Sequence, residues 1–410
     1  MAPSLPPEYC DRRLLARIHR LTLQTLRKRI KPVEPHDFVR FLVQRHRLSG
    51  AVKWRGRDGV LAAVEQLQGF ELAAGAWEEH VLPARVEGYD GALLDELCLS
   101  GAVLWARLGV SNRDNDDRAS GATLNRGTLT RVVPIGIFSR QDIAWIAPTE
   151  RASALHLHAG AQSVHDALSQ RGALFIADLI AATDLLPAQV EAALQELAAL
   201  GLVSADAFAA IRAVVAPAHE KQRHQRTRRR SAFAPAPGGR WSLLSSPQAP
   251  LDPIQRAERW CHQLLKRYGV VFRDLLARET LSPRWSALLP TYRRLEATGQ
   301  VRGGRFVSDV AGEQFATEHA IEALRATRDC ADDDALIVLS AADPLNLAGI
   351  ITQVPRVPAN HARALAVRNG RFVLTEDRNV RVFAEDPEEG DLQKIAKSAK
   401  GMKGSTPRPS

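Results

Sequence analysis

The sequence predicts a mixed α/β (α+β) fold: tandem winged-helix modules followed by a small antiparallel β-barrel. Three observations predict it. A phrase made of a helix, a glycine and a valine recurs three times. Sets of short segments with helical periodicity precede two of its copies. After residue 335 the hydrophobic period changes to two, the period of strands.

Along the chain, Leu14, Ile18, Leu21, Leu26 and Ile30 keep close to a 3.6-residue spacing and predict a helix over 12–31. That span carries Arg12, Arg13, Arg17, Arg20, Arg27, Lys28, Arg29 and Lys31, and no acid. Pro35 suits the first turn of a second helix running through Phe38, Phe41 and Leu42. Ser49-Gly50 stops it, and Ala51 to Arg55 reads as a short strand. An apolar helical run (Val60, Leu61, Val64) leads into Gln66-Leu67-Gln68, read as an extended segment with both amides on one side.

The repeated phrase is leucine, three residues, glycine, one residue, valine: Leu97–Gly101–Val103, Leu197–Gly201–Val203 and Leu295–Gly299–Val301. The glycine ends a helix in the left-handed conformation, and the valine opens a strand. Gly50 and Val52 offer a weaker fourth copy, with His46 at the leucine position. Helices are expected at 162–170, 175–182 and 187–200, and again at 253–268, 272–278 and 283–298; Pro187, Pro253 and Pro283 suit helix starts. Val301 to Val307 reads as a hairpin turning at Gly303-Gly304. Three helices and a hairpin make a winged helix.

The expected boundaries are a basic helical or winged-helix module at 1–60, a winged-helix-like module with Gln-Leu-Gln at 61–155, and winged helices at 156–216 and 253–312. A basic linker occupies 217–252, where seven basic residues between 219 and 240 face Glu220 alone. The barrel-like domain spans 313–390, with strands at 335–340, 347–351, 363–368, 371–375 and 380–383 and a hairpin turn at Asn369-Gly370. A basic tail closes the chain at 391–410.

Lys plus Arg number 55 against 46 acids, a net charge of +9, and the pI is near 9.7. Only nine of the basic residues are lysine. Arginine presents a rigid donor fork that suits phosphate, and such a balance points to a nucleic-acid partner. A compositional bias toward Ala, Leu and Arg would give the same numbers without a partner. No apolar run approaches a membrane span, the first residues lack a signal-peptide pattern, and four scattered cysteines fit a reducing cytoplasm. No phosphate-loop motif, no metal constellation and no Gly-x-Ser-x-Gly elbow occurs; His156-Leu-His158 lacks a third ligand.

Two polar motifs sit in apolar surroundings: Gln66-Leu67-Gln68 and Ser340-Ala-Ala-Asp343-Pro344-Leu-Asn346. Each has a plain reading. The glutamines can hydrogen-bond around a buried Leu67, and an Asp-Pro turn accounts for the second motif.

These motifs, together with Ala76-Trp-Glu78, Leu82-Pro-Ala-Arg85, Glu258 to Gly269 and Leu289 to Glu296, resemble the C-terminal region of the bacterial Lhr (large helicase-related) family. The resemblance runs over about residues 20–385. It implies a piece of a longer protein whose superfamily 2 motor, with its ATP and Mg, lies upstream; this chain alone needs no cofactor. The same region is similar to the AlkZ/YcaQ winged-helix DNA glycosylases, which have a Gln-apolar-Gln or Gln-apolar-Asp signature. Arg85 and Tyr89-Asp90 share in that likeness, and Trp77-Glu78 departs from it where histidines are expected.

The glycosylase resemblance implies base excision. A flipped nucleotide would meet a water positioned by Gln68 and supported by Gln66, with Asp343 as a carboxylate for poor leaving bases such as uracil. The alternative is a non-catalytic DNA-binding and oligomerisation module; a transcription regulator is a further reading of winged helices alone. The expected partners are DNA, the helicase core and further copies of the chain, with no membrane. The expected DNA contacts are Arg12, Arg13, Arg17, Arg20, Arg27 and Lys28 on the first helix, Lys53, Arg55 and Arg85, then Arg284, Arg293 and Arg294 on the last recognition helix, and Arg302 and Arg305 beyond it.

Overall fold

Gly101, Gly201 and Gly299 adopt φ of 74°, 71° and 76°, the left-handed conformation that the repeated phrase requires. Each follows a helix (Gly91–Leu99, Pro187–Ala199, Trp285–Ala297) and precedes a strand (Val103–Ala106, Val203–Ala205, Arg302–Gly304). A computed structural model of the chain describes residues 10–28, 30–49, 53–109, 129–147, 157–215, 239–244, 251–329, 335–360 and 363–374. The fourth copy of the phrase at Gly50 and Val52, most of the expected linker and the basic tail lie outside them.

Three winged-helix units result. The first has helices Pro35–Arg45, Gly56–Leu67 and Gly91–Leu99. Its antiparallel sheet places Pro134–Ser139 between Val103–Ala106 and Leu72–Ala73, while Trp54–Arg55 pairs in parallel with Val86–Glu87. The second has helices Ala159–Arg171, Ile176–Thr183 and Pro187–Ala199, and a sheet of Val203–Ala205 with Trp241–Leu243. The latter strand falls inside the expected linker: Trp241 is buried and also bridges Leu174, so it completes the second wing. The third has helices Pro253–Tyr268 and Trp285–Ala297, a 3-10 turn Arg273–Arg278, and strands Val270–Val271, Arg302–Gly304 and Gln314–Ala316.

Two cores run between units rather than within them. Trp77, Trp105, Leu194 and Trp241 belong to a core shared by the first and second units; Trp105 and Trp241 meet edge to face at 5.9 Å. Phe38, Phe41, Phe272, Tyr292 and Phe315 belong to a core shared by helix Pro35–Arg45 and the third unit. Trp145 and Trp260 join the first and third units by a second edge-to-face contact at 5.4 Å.

The expected hairpin at Gly303-Gly304 is not a turn. Both glycines lie in strand Arg302–Gly304, and the returning strand is Gln314–Ala316. They serve close approach instead. A Cβ on Gly303 would lie 2.5 Å from Glu296 Oε1, and one on Gly304 would lie 2.2 Å from Ile30 Cδ1. The amino-terminal helix Arg12–Lys28 and, beyond it, the Ile30 side chain therefore dock on this strand.

The expected barrel is also corrected. Among the described residues, Ile337–Ser340, Ala364–Arg368 and Arg371–Leu374 form an open three-stranded antiparallel sheet, and no closed barrel is present. Leu347 to Ile351 is a turn rather than a strand, and 380–383 lies outside the described residues. A barrel must close on its own edges. Here Leu339, Leu365, Val367 and Phe372 instead join the core around helix Pro35–Arg45. Gly370, in the expected Asn369-Gly370 turn, presses so closely on that helix that a Cβ would meet the His36 carbonyl at 1.9 Å. Among the described residues no helix is long and apolar enough to cross a membrane.

Candidate functional site

The Gln-Leu-Gln motif is not extended. Gln66 and Leu67 form the last turn of helix Gly56–Leu67, and Gln68 follows as its cap. Gly69 (φ +85°) then turns the chain against Trp260, whose Cη2 would lie 2.7 Å from an added Cβ. The two amides therefore take different partners. Gln66 Nε2 donates to the Arg45 carbonyl at 3.2 Å. Gln68 Nε2 donates to Asp142 Oδ2 at 2.9 Å and to Gln263 Oε1 at 3.3 Å, while its Oε1 accepts from Ser139 N at 3.1 Å. Both glutamines are buried.

Around them lies a polar junction between the first and third units and the last sheet. Gln263 donates to the carbonyls of Glu65 and Gln66. Arg267, fully buried, donates to the carbonyls of Gln66, Leu67 and Gln68 and pairs with Glu279. Those carbonyls end helix Gly56–Leu67 and have no partner within it, so the guanidinium satisfies them and meets the negative end of the helix dipole. Tyr268 donates to Glu279 at 2.8 Å, and burial pushes the Tyr268 hydroxyl well above its usual pKa.

Asp343 lies in this junction, not in an open cleft. It accepts both arms of the Arg85 guanidinium at 2.7 and 3.0 Å, and its Oδ1 also accepts from Leu345 N in the Asp-Pro turn. Arg85 is itself fully buried and donates to His46 Nδ1 at 3.2 Å. The His46 Nε2 faces the Arg267 carbonyl at 2.9 Å, which assigns the neutral tautomer with its proton on Nε2. Burial, and then the charge of Arg85, hold His46 well below its usual pKa.

Arg85 is therefore corrected as a DNA contact: it is covered and committed to a carboxylate. The other expected contacts divide. Arg12, Arg13, Arg17, Arg20, Arg284 and Arg305 are exposed and form no ion pair among the described residues. Arg27 pairs with Glu296 and Glu313, Arg55 with Glu87, Arg293 with Glu313, Arg294 with Glu258 and Arg302 with Glu318. The Lys53 Nζ approaches the Pro83 carbonyl at 3.5 Å, and the Lys28 side chain lies outside the described residues. Arg27 has a specific use: it fastens the amino-terminal helix to helix Trp285–Ala297, leaving the turns that carry Arg12 to Arg20 in solvent.

Gln263, Arg267 and Glu279 were missed as site residues. A signal for the first two exists. On helix Pro253–Tyr268, Gln263 and Arg267 follow Trp260 at three and seven residues, which places polar groups beside the apolar stripe Trp260, Leu264 and Tyr268. Glu279 carries no such signal.

The sequence patterns of two winged-helix domains of large helicase-related protein match this chain, the fourth at residues 250–336 and the third at 33–120. The chain belongs to the Lhr family. Two Lhr relatives are similar along most of it. The "Lhr helicase/ probable uracil glycosylase" of Mycolicibacterium smegmatis is 31% identical over 420 residues, covering 96% of this chain and 26% of the relative. The "Lhr helicase/uracil glycosylase" of Escherichia coli is 29% identical over 395 residues, covering 87% of this chain and 25% of the relative. The chain thus spans about a quarter of the Lhr proteins it matches. The unit at 157–243 has the same helix–glycine–strand architecture as the two matched domains.

Proposed function

We propose that this chain is a DNA-binding region of an Lhr-type helicase, and that its winged-helix units and amino-terminal helix grip the phosphate backbone with little sequence preference. The observation that carries this is the division among the arginines. Arg12, Arg13, Arg17 and Arg20 stand in solvent without carboxylate partners on a helix fixed to a winged-helix unit. Arginines held ready on a rigid support suit backbone phosphates. ATP, Mg and the motor would belong to the remainder of a longer protein.

The test is DNA affinity against salt. If these four arginines each neutralise a phosphate, replacing all four by alanine lowers the log–log slope by about 3.6 on duplex DNA. An unchanged slope overturns the assignment of the helix.

A second reading, base excision, is favoured by the uracil glycosylase named in both relatives. In this reading the Gln-Leu-Gln segment orders the fold and the reacting groups lie elsewhere. Gln68 is held by three hydrogen bonds and Asp343 is committed to Arg85. Release of uracil from an oligonucleotide by the purified chain tests it. Self-association is a further proposal, and the exposed stripe Leu14, Leu15, Ile18 and Leu21 is the face it would use.

A further inference from the structure

We propose that the second winged-helix unit docks protein: the exposed side of helices Ile176–Thr183 and Pro187–Ala199 receives the amino-terminal helix Arg12–Lys28 of a second copy of this chain. The proposal rests on the self-association reading above and supplies the face that the exposed stripe would meet.

The docking side is apolar at its centre. Leu186, which opens helix Pro187–Ala199, is 67% exposed, and Phe175, which opens helix Ile176–Thr183, is 49% exposed. The two helices pack on each other. Ala188, Glu191 and Ala192 follow at helical spacing on the exposed side, and the small side chains let another helix approach closely. The charge here is opposite to that of the chain as a whole. From Phe175 to Ala199 there is no lysine or arginine. Asp178, Asp184 and Glu191 are exposed and form no ion pair among the described residues. A phosphate backbone would meet only its own sign of charge on these helices, so this side is unsuited to DNA.

The chain itself supplies an occupant that matches. Helix Arg12–Lys28 contains no acid and exposes Leu14, Leu15, Ile18 and Leu21, flanked by Arg13, Arg17 and Arg20. Its leucines would cover Leu186 and Phe175, and its arginines would face the unpaired carboxylates. Within one copy the two faces do not meet, because both are exposed and Arg27 and Ile30 hold the helix on the third unit. The contact therefore joins two copies. Each copy carries one of each face, so copies pair reciprocally or close into a ring. The docked arginines are those of the DNA-binding reading, so a copy engaged in this way withholds its helix from phosphate.

The experiment is sedimentation velocity on the whole chain. It compares the wild type with a face variant, Leu186→Ser with Glu191→Arg, and a stripe variant, Leu15→Ser with Ile18→Ser. All four positions are exposed, so the fold should hold, and circular dichroism checks it. The wild type is expected to associate. Each variant alone should associate about tenfold more weakly or worse, the effect of losing one docked leucine. An equimolar mixture of the two variants should form a species of two copies, because the face variant brings an intact helix and the stripe variant an intact face. If the wild type associates and the face variant does so equally well, the helix docks elsewhere and the proposal is overturned, while self-association stands. A mixture in which the variants stay separate overturns it as well. If the wild type stays monomeric at every concentration, the self-association reading fails, and the docking fails with it.

Discussion

Arg85 and Asp343, 258 positions apart in the chain, form a buried two-pronged ion pair with contacts of 2.7 and 3.0 Å. The fork of the guanidinium matches the two carboxylate oxygens, and the pair locks the last sheet to the first winged-helix unit. Two residues that a sequence reading offers to DNA and to catalysis thus neutralise each other inside the fold.

Removing one member leaves the other charged and buried. Asp343→Ala is expected to destabilise the chain by about 3–5 kcal/mol, and the paired change Arg85→Met with Asp343→Leu by much less. Urea denaturation of the wild type and the two variants checks this. Equal losses for the single and double variants would mean that the pair contributes through packing alone.

Two buried groups give stability opposite pH dependences. Burial raises the Glu71 carboxyl to about 6 from an ordinary 4.5, against the pull of the Leu108 and Gly109 amides that donate to it. Between those values the folded chain binds the proton and the unfolded chain does not, so this contribution is present below 4.5 and lost as pH rises through 6. Its size is about 2 kcal/mol. Glu71→Gln should therefore gain stability relative to wild type as pH rises from 4.5 to 7. His46 works the other way: held neutral in the fold, it loses stability as pH falls below 6.5, where the unfolded imidazole takes up a proton. His46→Gln should flatten that acid-side loss. Urea midpoints at four pH values, read as differences from wild type, separate the two groups. A constant difference across the range would show that neither titrates as the structure requires.

Gly69 and Gly88 share a left-handed backbone, with φ of +85° and +63°, but differ in surroundings. A Cβ at Gly88 meets nothing within 4 Å, whereas at Gly69 it meets Trp260 at 2.7 Å. Gly88→Ala should cost about 1–2 kcal/mol from the backbone alone. Gly69→Ala should cost more, because Trp260 is buried and edge-packed on Trp145. Thermal or urea melts of both variants compare the two, and equal losses would deny the close approach.

The winged-helix units were legible because their signals are local. A helix ending in leucine, a left-handed glycine and a strand-opening valine fit within seven residues, and Gly101, Gly201 and Gly299 all take that conformation. The glycine pair Gly303-Gly304 misled for the same reason: a local rule reads a turn, but the cause is a distant helix end at Arg27 and Ile30. The last sheet was legible as strands and not as an architecture, since closure depends on what covers Leu365 and Phe372. The site was the least legible part. Gln68 is explained by Asp142 and Gln263, and Asp343 by Arg85, partners 74, 195 and 258 positions away, beyond any sequence window.

Gln68 gives the sharpest division between a reacting group and a structural one. Its amide donates to Asp142 and Gln263 and accepts from the Ser139 backbone, so it uses both ends to join the first and third units. Gln68→Ala strands the buried Ser139 N–H and is expected to cost about 1–3 kcal/mol in stability. Gln68→Glu is expected to be worse than its shape suggests, because it sets a carboxylate where the amide now donates to Asp142 Oδ2 at 2.9 Å. Neither change touches an exposed arginine, so affinity for undamaged duplex should hold. If the chain releases uracil or 7-methylguanine from an oligonucleotide, the rate per folded molecule should also hold in Gln68→Ala. A hundred- to thousandfold fall in that rate, the size associated with losing a hydrogen bond made in the transition state, would return Gln68 to the reacting water. It would also require the amide to leave Asp142 and Gln263 during turnover, and Gln263→Ala, which frees one of those contacts, should then raise the rate rather than lower it.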